Sequence, residues 1–154
     1  MEQNPYAATA TPVSTPTGTQ IDTLDVSDRW KQYFKGLQKY GGLEGQLFKA
    51  IPKGPERLAA AKEMAPPMSA FLLAFVFGFF YYLVKGMWKK GLVLALMTFV
   101  GLTVLVTVLY LIGGETLAGG ARYLGGVAFG IMAPRDFYSF KVLGDKGWLP
   151  VRPF

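Results

Sequence analysis

Leu92-Val-Leu-Ala-Leu-Met-Thr-Phe-Val-Gly-Leu-Thr-Val-Leu-Val-Thr-Val-Leu-Tyr-Leu-Ile112 decides the fold: 21 residues without a charge. At about 1.5 Å per residue the run covers about 30 Å, the hydrocarbon thickness of a bilayer. Its β-branched residues favour strand in water, but the run is far too long for one strand. In lipid each backbone polar group must be satisfied within the segment, which forces a helix. The sequence therefore predicts a transmembrane helix over 92–112.

Upstream lies Pro67-Met-Ser-Ala-Phe-Leu-Leu-Ala-Phe-Val-Phe-Gly-Phe-Phe-Tyr-Tyr-Leu-Val-Lys-Gly-Met-Trp-Lys-Lys-Gly91. Its uncharged part, residues 69–84, has 16 residues, just short of the ~17 that a span needs. It is read as an aromatic re-entrant helix or a third, spanning one, over 67–90. Lys85, Trp88, Lys89 and Lys90 close it as membrane-interface anchors, the lysines reaching anionic headgroups at about 1 kcal/mol each. Downstream, Gly113 to Thr116 reads as a tight turn. Residues 117–133 read as a second transmembrane segment. Gly126 and Gly130 have small-xxx-small spacing, as do Ala121 and Gly125; these residues are expected to pack this helix on 92–112, with a dimer face as the alternative. Arg122 sits near its start, in the same layer as Glu115. The end, 135–154, reads as an interfacial cytoplasmic tail.

Before the membrane region, residues 1–24 are rich in Thr, Pro and Ala and are expected to form a disordered tail. Residues 25–66 read as short cytoplasmic amphipathic helices. In the first, Ser27 is a candidate N-cap, and Trp30, Tyr33, Phe34 and Leu37 share one face. That face suits either a membrane surface or the neighbouring helices. Leu43, Leu47, Phe48 and Ile51 form a second set, broken by Pro52. A third helix starts at Pro55-Glu56 and stops at Pro66-Pro67. The fold class expected is an all-α membrane protein: a two-helix transmembrane hairpin plus the aromatic element, preceded by the cytoplasmic helices.

Charge narrows function. Residues 1–66 carry eight basic and seven acidic side chains and residues 67–154 eight and three, so five of the net +6 lie beside the apolar runs. This favours an anionic membrane surface as partner over nucleic acid. The chain has neither cysteine nor histidine, which excludes Cys or His metal sites and Cys or Ser-His nucleophiles. No catalytic, cofactor-binding or metal-ligating residue is expected, and no cofactor. The first thirty residues contain no apolar signal core, so the N-terminal region is expected in the cytoplasm. The basic 85–90 and 135–152 segments ask for the same side. A re-entrant aromatic stretch satisfies all three, with both termini cytoplasmic.

Three blocks carry a resemblance: Asp25-Val-Ser-Asp-Arg-Trp-Lys-Gln-Tyr-Phe34, Ala74-Phe-Val-Phe-Gly-Phe-Phe-Tyr-Tyr-Leu-Val-Lys-Gly-Met-Trp-Lys-Lys-Gly-Leu92 and Arg135-Asp-Phe-Tyr-Ser-Phe-Lys-Val-Leu-Gly-Asp-Lys-Gly-Trp148. Over about residues 25–149 the chain resembles a bacterial family of small inner-membrane proteins, catalogued as a domain of unknown function. The middle block is the specific one. The resemblance implies a multi-pass protein of the bacterial inner membrane and transfers no catalytic residue. The chain departs from the pattern at Ala133-Pro134-Arg135, where an Ala-Asn pair is usual. The function expected is that of a non-enzymatic accessory protein binding another membrane protein or itself. Immunity or superinfection exclusion against a membrane-acting toxin or phage is one alternative. A small transporter or channel subunit is the other, for which only Arg122, Thr98, Thr103 and Thr107 offer polar groups.

Overall fold

The computed structural model describes residues 18–40, 43, 54–121 and 123–151. All its regular structure is helical, with no strand among the described residues. Seven helices follow in order: α1 (Gly18–Asp22), α2 (Asp28–Lys39), α3 (Glu56–Glu63), α4 (Met68–Phe77), α5 (Phe79–Val84), α6 (Trp88–Ala121) and α7 (Leu124–Lys141). α1 lies inside the stretch expected to be a disordered tail, and its Ile21 is fully buried in the core. Residues 1–17, and Leu47, Phe48 and Ile51 of the expected second amphipathic set, lie outside the described residues.

α2 buries the four residues that periodicity places on one face, Trp30, Tyr33, Phe34 and Leu37. They pack on the C-terminal half of α7, with Trp30 at 4.7 Å from the Phe137 ring and Phe34 at 5.4 Å from that of Tyr138. Ser27 is the N-cap residue but makes no side-chain cap bond. α3 crosses α2 at Gly36, where a Cβ would stand 2.5 Å from the Glu63 carbonyl oxygen.

The aromatic stretch folds as two short helices. Ten residues of α4 rise about 15 Å, half a bilayer. Phe71 lies against Gly130, and Phe75 against Gly126, so α4 runs antiparallel to α7. At Gly78 the backbone takes φ 47° and ψ −115°, a conformation open to glycine. α5 then travels the other way along α7: Tyr82 reaches Asp136, and the Lys85 ammonium lies over Phe137. The chain thus enters alongside α7, reverses at Gly78 and returns.

α6 is the long element. Its apolar part, Trp88 to Thr116, is 29 residues; the most apolar 18 residues of it have a mean hydropathy of 2.7, yet 6% of them are buried. Leu96, Met97, Phe99, Val104, Leu111 and Ile112 are each more than half exposed. Each such side chain forgoes up to about 1.5–3 kcal/mol when left in water. Together they approach the ~5–15 kcal/mol net stability of an ordinary domain. Thr103 and Thr107 turn their hydroxyls back to the carbonyls of Phe99 and Thr103, both at 2.8 Å, as threonines do in apolar helices.

Among the described residues α6 is the one single helix long and apolar enough to cross a membrane. α3 and α4 pass that test together, bent by 58°, but α3 carries Glu56, Arg57, Lys62 and Glu63. Helical geometry breaks at Gly114 (φ 68°, ψ −161°), inside the expected 113–116 turn, and helix resumes to Ala121. Gly125 then meets Leu102 and Thr98, and Lys90 meets Ser139, so α7 packs antiparallel to the first part of α6.

α7 differs from expectation at both ends. It starts at Leu124, and it continues through Pro134 to Lys141 instead of stopping at Ala133. An interior proline costs about 3 kcal/mol. Burial of Pro134, Asp136, Phe137, Tyr138 and Ser139 offsets it. Of the segment expected as an interfacial tail, residues 136–139 are therefore core.

Candidate functional site

The start of α6, the end of α5, the second half of α7 and the chain after it converge on one cluster of polar and aromatic side chains. Its centre is Lys90, 1% exposed. The Lys90 ammonium donates to Asp145 Oδ2 at 2.7 Å and to Ser139 Oγ at 3.1 Å. Ser139 donates to the same Asp145 oxygen at 3.0 Å, and the Gly147 N–H to the other at 2.9 Å. Partial burial opposes ionisation of Asp145, but the bonds from Lys90, Gly147 and Ser139 outweigh it and hold the carboxyl below the usual range.

A second knot lies beside it. Asp136 is fully buried. Its Oδ2 accepts from the Tyr82 hydroxyl at 2.8 Å and its Oδ1 from the Val151 N–H at 2.7 Å. Burial pushes the Asp136 carboxyl up, against the pull of those two bonds and of Lys90. Burial likewise pushes the Tyr82 hydroxyl up, with the Asp136 charge adding to it. One cation and two carboxylates share the region. Lys90 and Asp145 neutralise each other, and Asp136 is the group whose charge is disfavoured.

On the outer side, Trp88 and Trp148 meet edge to face at 5.4 Å. The Lys89 ammonium lies over both rings, at 5.9 and 5.6 Å. The Lys85 ammonium lies over Phe137 and Tyr81, at 5.0 and 5.9 Å. A cleft of about 280 Å³ opens between the start of α6 and the returning chain.

The four expected interface anchors therefore separate. Lys85, Trp88 and Lys89 reach the molecular surface to differing degrees. Lys90 does not: its ammonium is committed inside the protein, and its expected role at the headgroups is corrected on that ground. Gly126 and Gly130 do make close helix contacts, but on Phe75 and Phe71 of α4, not on 92–112. A Cβ at Gly126 would lie 2.7 Å from the Phe75 carbonyl oxygen. It is Gly125 that meets α6. Arg122 lies outside the described residues. Among the described residues no cluster of acidic, Cys or His side chains is arranged to hold a metal.

Sequence reasoning missed Tyr82, Asp136, Ser139, Asp145 and Trp148. One signal was present: residues 67–154 contain three carboxylates, and Asp136 and Asp145 both follow the second apolar segment. A lysine held inside that half must draw its counter-charge from so short a supply.

Among the described residues, fold and site together define an all-helical protein with one helix fit to cross a membrane and a bonded polar knot at that helix's foot. The chain belongs to the family described as protein of unknown function DUF2628, whose profile matches residues 29–135. No curated protein and no solved structure matches the chain.

Proposed function

We propose that the protein is a non-enzymatic, multi-pass protein of the bacterial inner membrane that acts by binding a partner, another membrane protein or a second copy. The observation that carries this is the apolar surface of α6, 6% buried over its most apolar window. A soluble core helix of that hydropathy would be covered by its own chain. In this reading α6 crosses from the cytoplasmic face, and the chain beyond Gly114 crosses back down to Ala133. α4 and α5 dip in from the cytoplasm and return. The Lys90–Asp145 bond and the Trp88–Trp148 contact support it, since they join the start of α6 to the chain after α7. The aromatic contacts of α2 with Phe137 and Tyr138 add the N-terminal helices to the same end. Both termini are then cytoplasmic, and Trp88 and Lys89 lie at headgroup level.

A binding role is favoured over chemistry because the charged and hydroxyl groups of the Lys90–Asp145 and Tyr82–Asp136 knots are already engaged within the chain. The test has two parts. The full chain should resist alkaline carbonate extraction, and reporters fused at either terminus should read out in the cytoplasm. A periplasmic readout at either end overturns the topology. A photoreactive residue at Phe99, on the exposed face of α6, should give a discrete protein adduct in cells. Adducts to lipid alone overturn the partner-binding role.

A further inference from the structure

We infer that the cleft at the foot of α6 binds a phosphate-bearing anion, and that its occupant is the headgroup of an anionic phospholipid. At about 280 Å³ the cleft is at the small end of ligand-sized pockets, enough for a headgroup and too small for a whole lipid. Lys89, Lys90 and Lys146 line it, and no carboxylate does. Lys90 is neutralised by Asp145. Neither Lys89 nor Lys146 belongs to the ion pairs of the described residues. Among the described residues, the cleft therefore carries two positive charges that no carboxylate pairs with. Lys89 is held in place by the two tryptophan rings beneath it.

The rest of the lining is not what a free phosphate needs. Met87, Trp88 and Phe140 supply apolar wall. Leu92, one turn along α6 from the exposed Trp88, leads on to the exposed apolar side chains that continue up the helix. An anion seated between Lys89 and Lys146 would have water on one side and a hydrocarbon-compatible surface on the other. A phosphodiester headgroup with its acyl chains along α6 fits both. The site exists because the chain after α7 returns: Lys146 and Gly147 reach the cleft through the Asp145 bond to Lys90. The inference rests on α6 lying in a bilayer.

The test uses the full chain in a neutral detergent, with native mass spectrometry counting retained ligand. Short-chain phosphatidylglycerol, short-chain phosphatidylcholine and inorganic phosphate are compared. Phosphatidylglycerol should be retained in preference to phosphatidylcholine. A Lys89→Gln/Lys146→Gln variant should retain it about 30-fold less well, as expected of two basic groups that each contribute about a factor of five. A Lys62→Gln/Lys141→Gln variant removes the same charge elsewhere and should leave retention unchanged, with the circular dichroism of both variants checked against the parent. Equal retention of the two lipids, or equal loss in both variants, overturns the site. Inorganic phosphate binding as tightly as phosphatidylglycerol overturns the lipid assignment. Carbonate extraction separates the two levels. A chain that washes off the membrane refutes the membrane reading, whereas one that stays and shows no lipid preference refutes the cleft alone.

Discussion

Lys90 and Asp145 form an ion pair whose two members have unequal surroundings. The lysine side chain is 2% exposed and the aspartate 46%. Removing one partner of a buried pair costs about 3–5 kcal/mol when the other is left without compensation. Asp145→Ala strands the buried ammonium and should destabilise by about 3 kcal/mol, the lower end, because water reaches the vacated position. Lys90→Met leaves a half-solvated carboxylate that keeps its Ser139 and Gly147 bonds, and should cost about 1 kcal/mol. Thermal unfolding in detergent should rank Asp145→Ala well below Lys90→Met, and the reverse order refutes this account. Asp136 gives a pH dependence of opposite sign to that of Asp145. Burial raises the Asp136 carboxyl, so the folded state holds its proton more tightly than the unfolded one. That contribution is full below the unfolded value near 3.9 and is lost as pH rises through the folded value. Asp145, held low, contributes above the unfolded value and loses its contribution as pH falls through its folded one. Acidifying from neutral should first raise and then lower the melting temperature. Asp136→Asn should abolish the rise and keep the fall, and a variant profile parallel to the parent's in mildly acid solution assigns the rise to other groups.

Among the elements, α7 is the common wall, and its glycines decide how closely α4 approaches. At Gly126 an added Cβ meets the Phe75 backbone carbonyl at 2.7 Å, and at Gly130 it meets the Phe71 ring at the same distance. A ring can swing aside, while a helix carbonyl moves only with its helix. Gly126→Ala should therefore be the more harmful, at about 1–3 kcal/mol of overpacking. At Gly101 an added Cβ meets nothing within 4 Å. Gly101→Ala should be neutral or stabilise by up to about 1 kcal/mol through helix propensity. Melting temperatures of Gly126→Ala, Gly130→Ala and Gly101→Ala check the order, and a Gly101→Ala variant as damaged as Gly126→Ala contradicts it. The same helix shows what the sequence made legible. The length and purity of 92–112 foretold α6, the Trp30–Leu37 spacing foretold the buried face of α2, and Pro66-Pro67 marked the border of α3 and α4. The small-residue spacing marked close packing without naming its partner, because a glycine records the absence of a side chain and not what fills the space. The end of α7 was misread at Pro134, since its local penalty was visible and the burial of Phe137 and Tyr138 against α2 was not. The polar site was hidden for a similar reason. Lys90 has the same flanks as Lys89, and only the return of Asp145 separates a buried ion pair from a surface lysine.

At the scale of the whole molecule the chain divides into a part whose apolar surface is covered by itself and a part whose apolar surface is bare. α1, α2 and the foot of α7 bury Ile21, Trp30, Phe34, Phe137 and Tyr138 in one aromatic-rich cluster. α6 buries little beyond its first two turns, where Lys90, Gly91 and Leu94 are covered. If α6 supplies the membrane anchorage and the aromatic cluster only docks the N-terminal helices, the two should fail independently. Trp30 is the residue to remove, since it touches Tyr33, Phe34 and Phe137 at centroid distances of 5.9, 5.6 and 4.7 Å. Trp30→Ala should cost about 3–5 kcal/mol, as truncation of a buried aromatic does. That loss should fall on the docking of α2 and leave α6 in place. In membranes from cells producing the variant, limited proteolysis should cut the N-terminal region much faster than in the parent. The fraction resisting carbonate extraction should stay the same. A variant that instead leaves the membrane would make the aromatic face of α2 part of the anchor, lying on the bilayer surface rather than on α7.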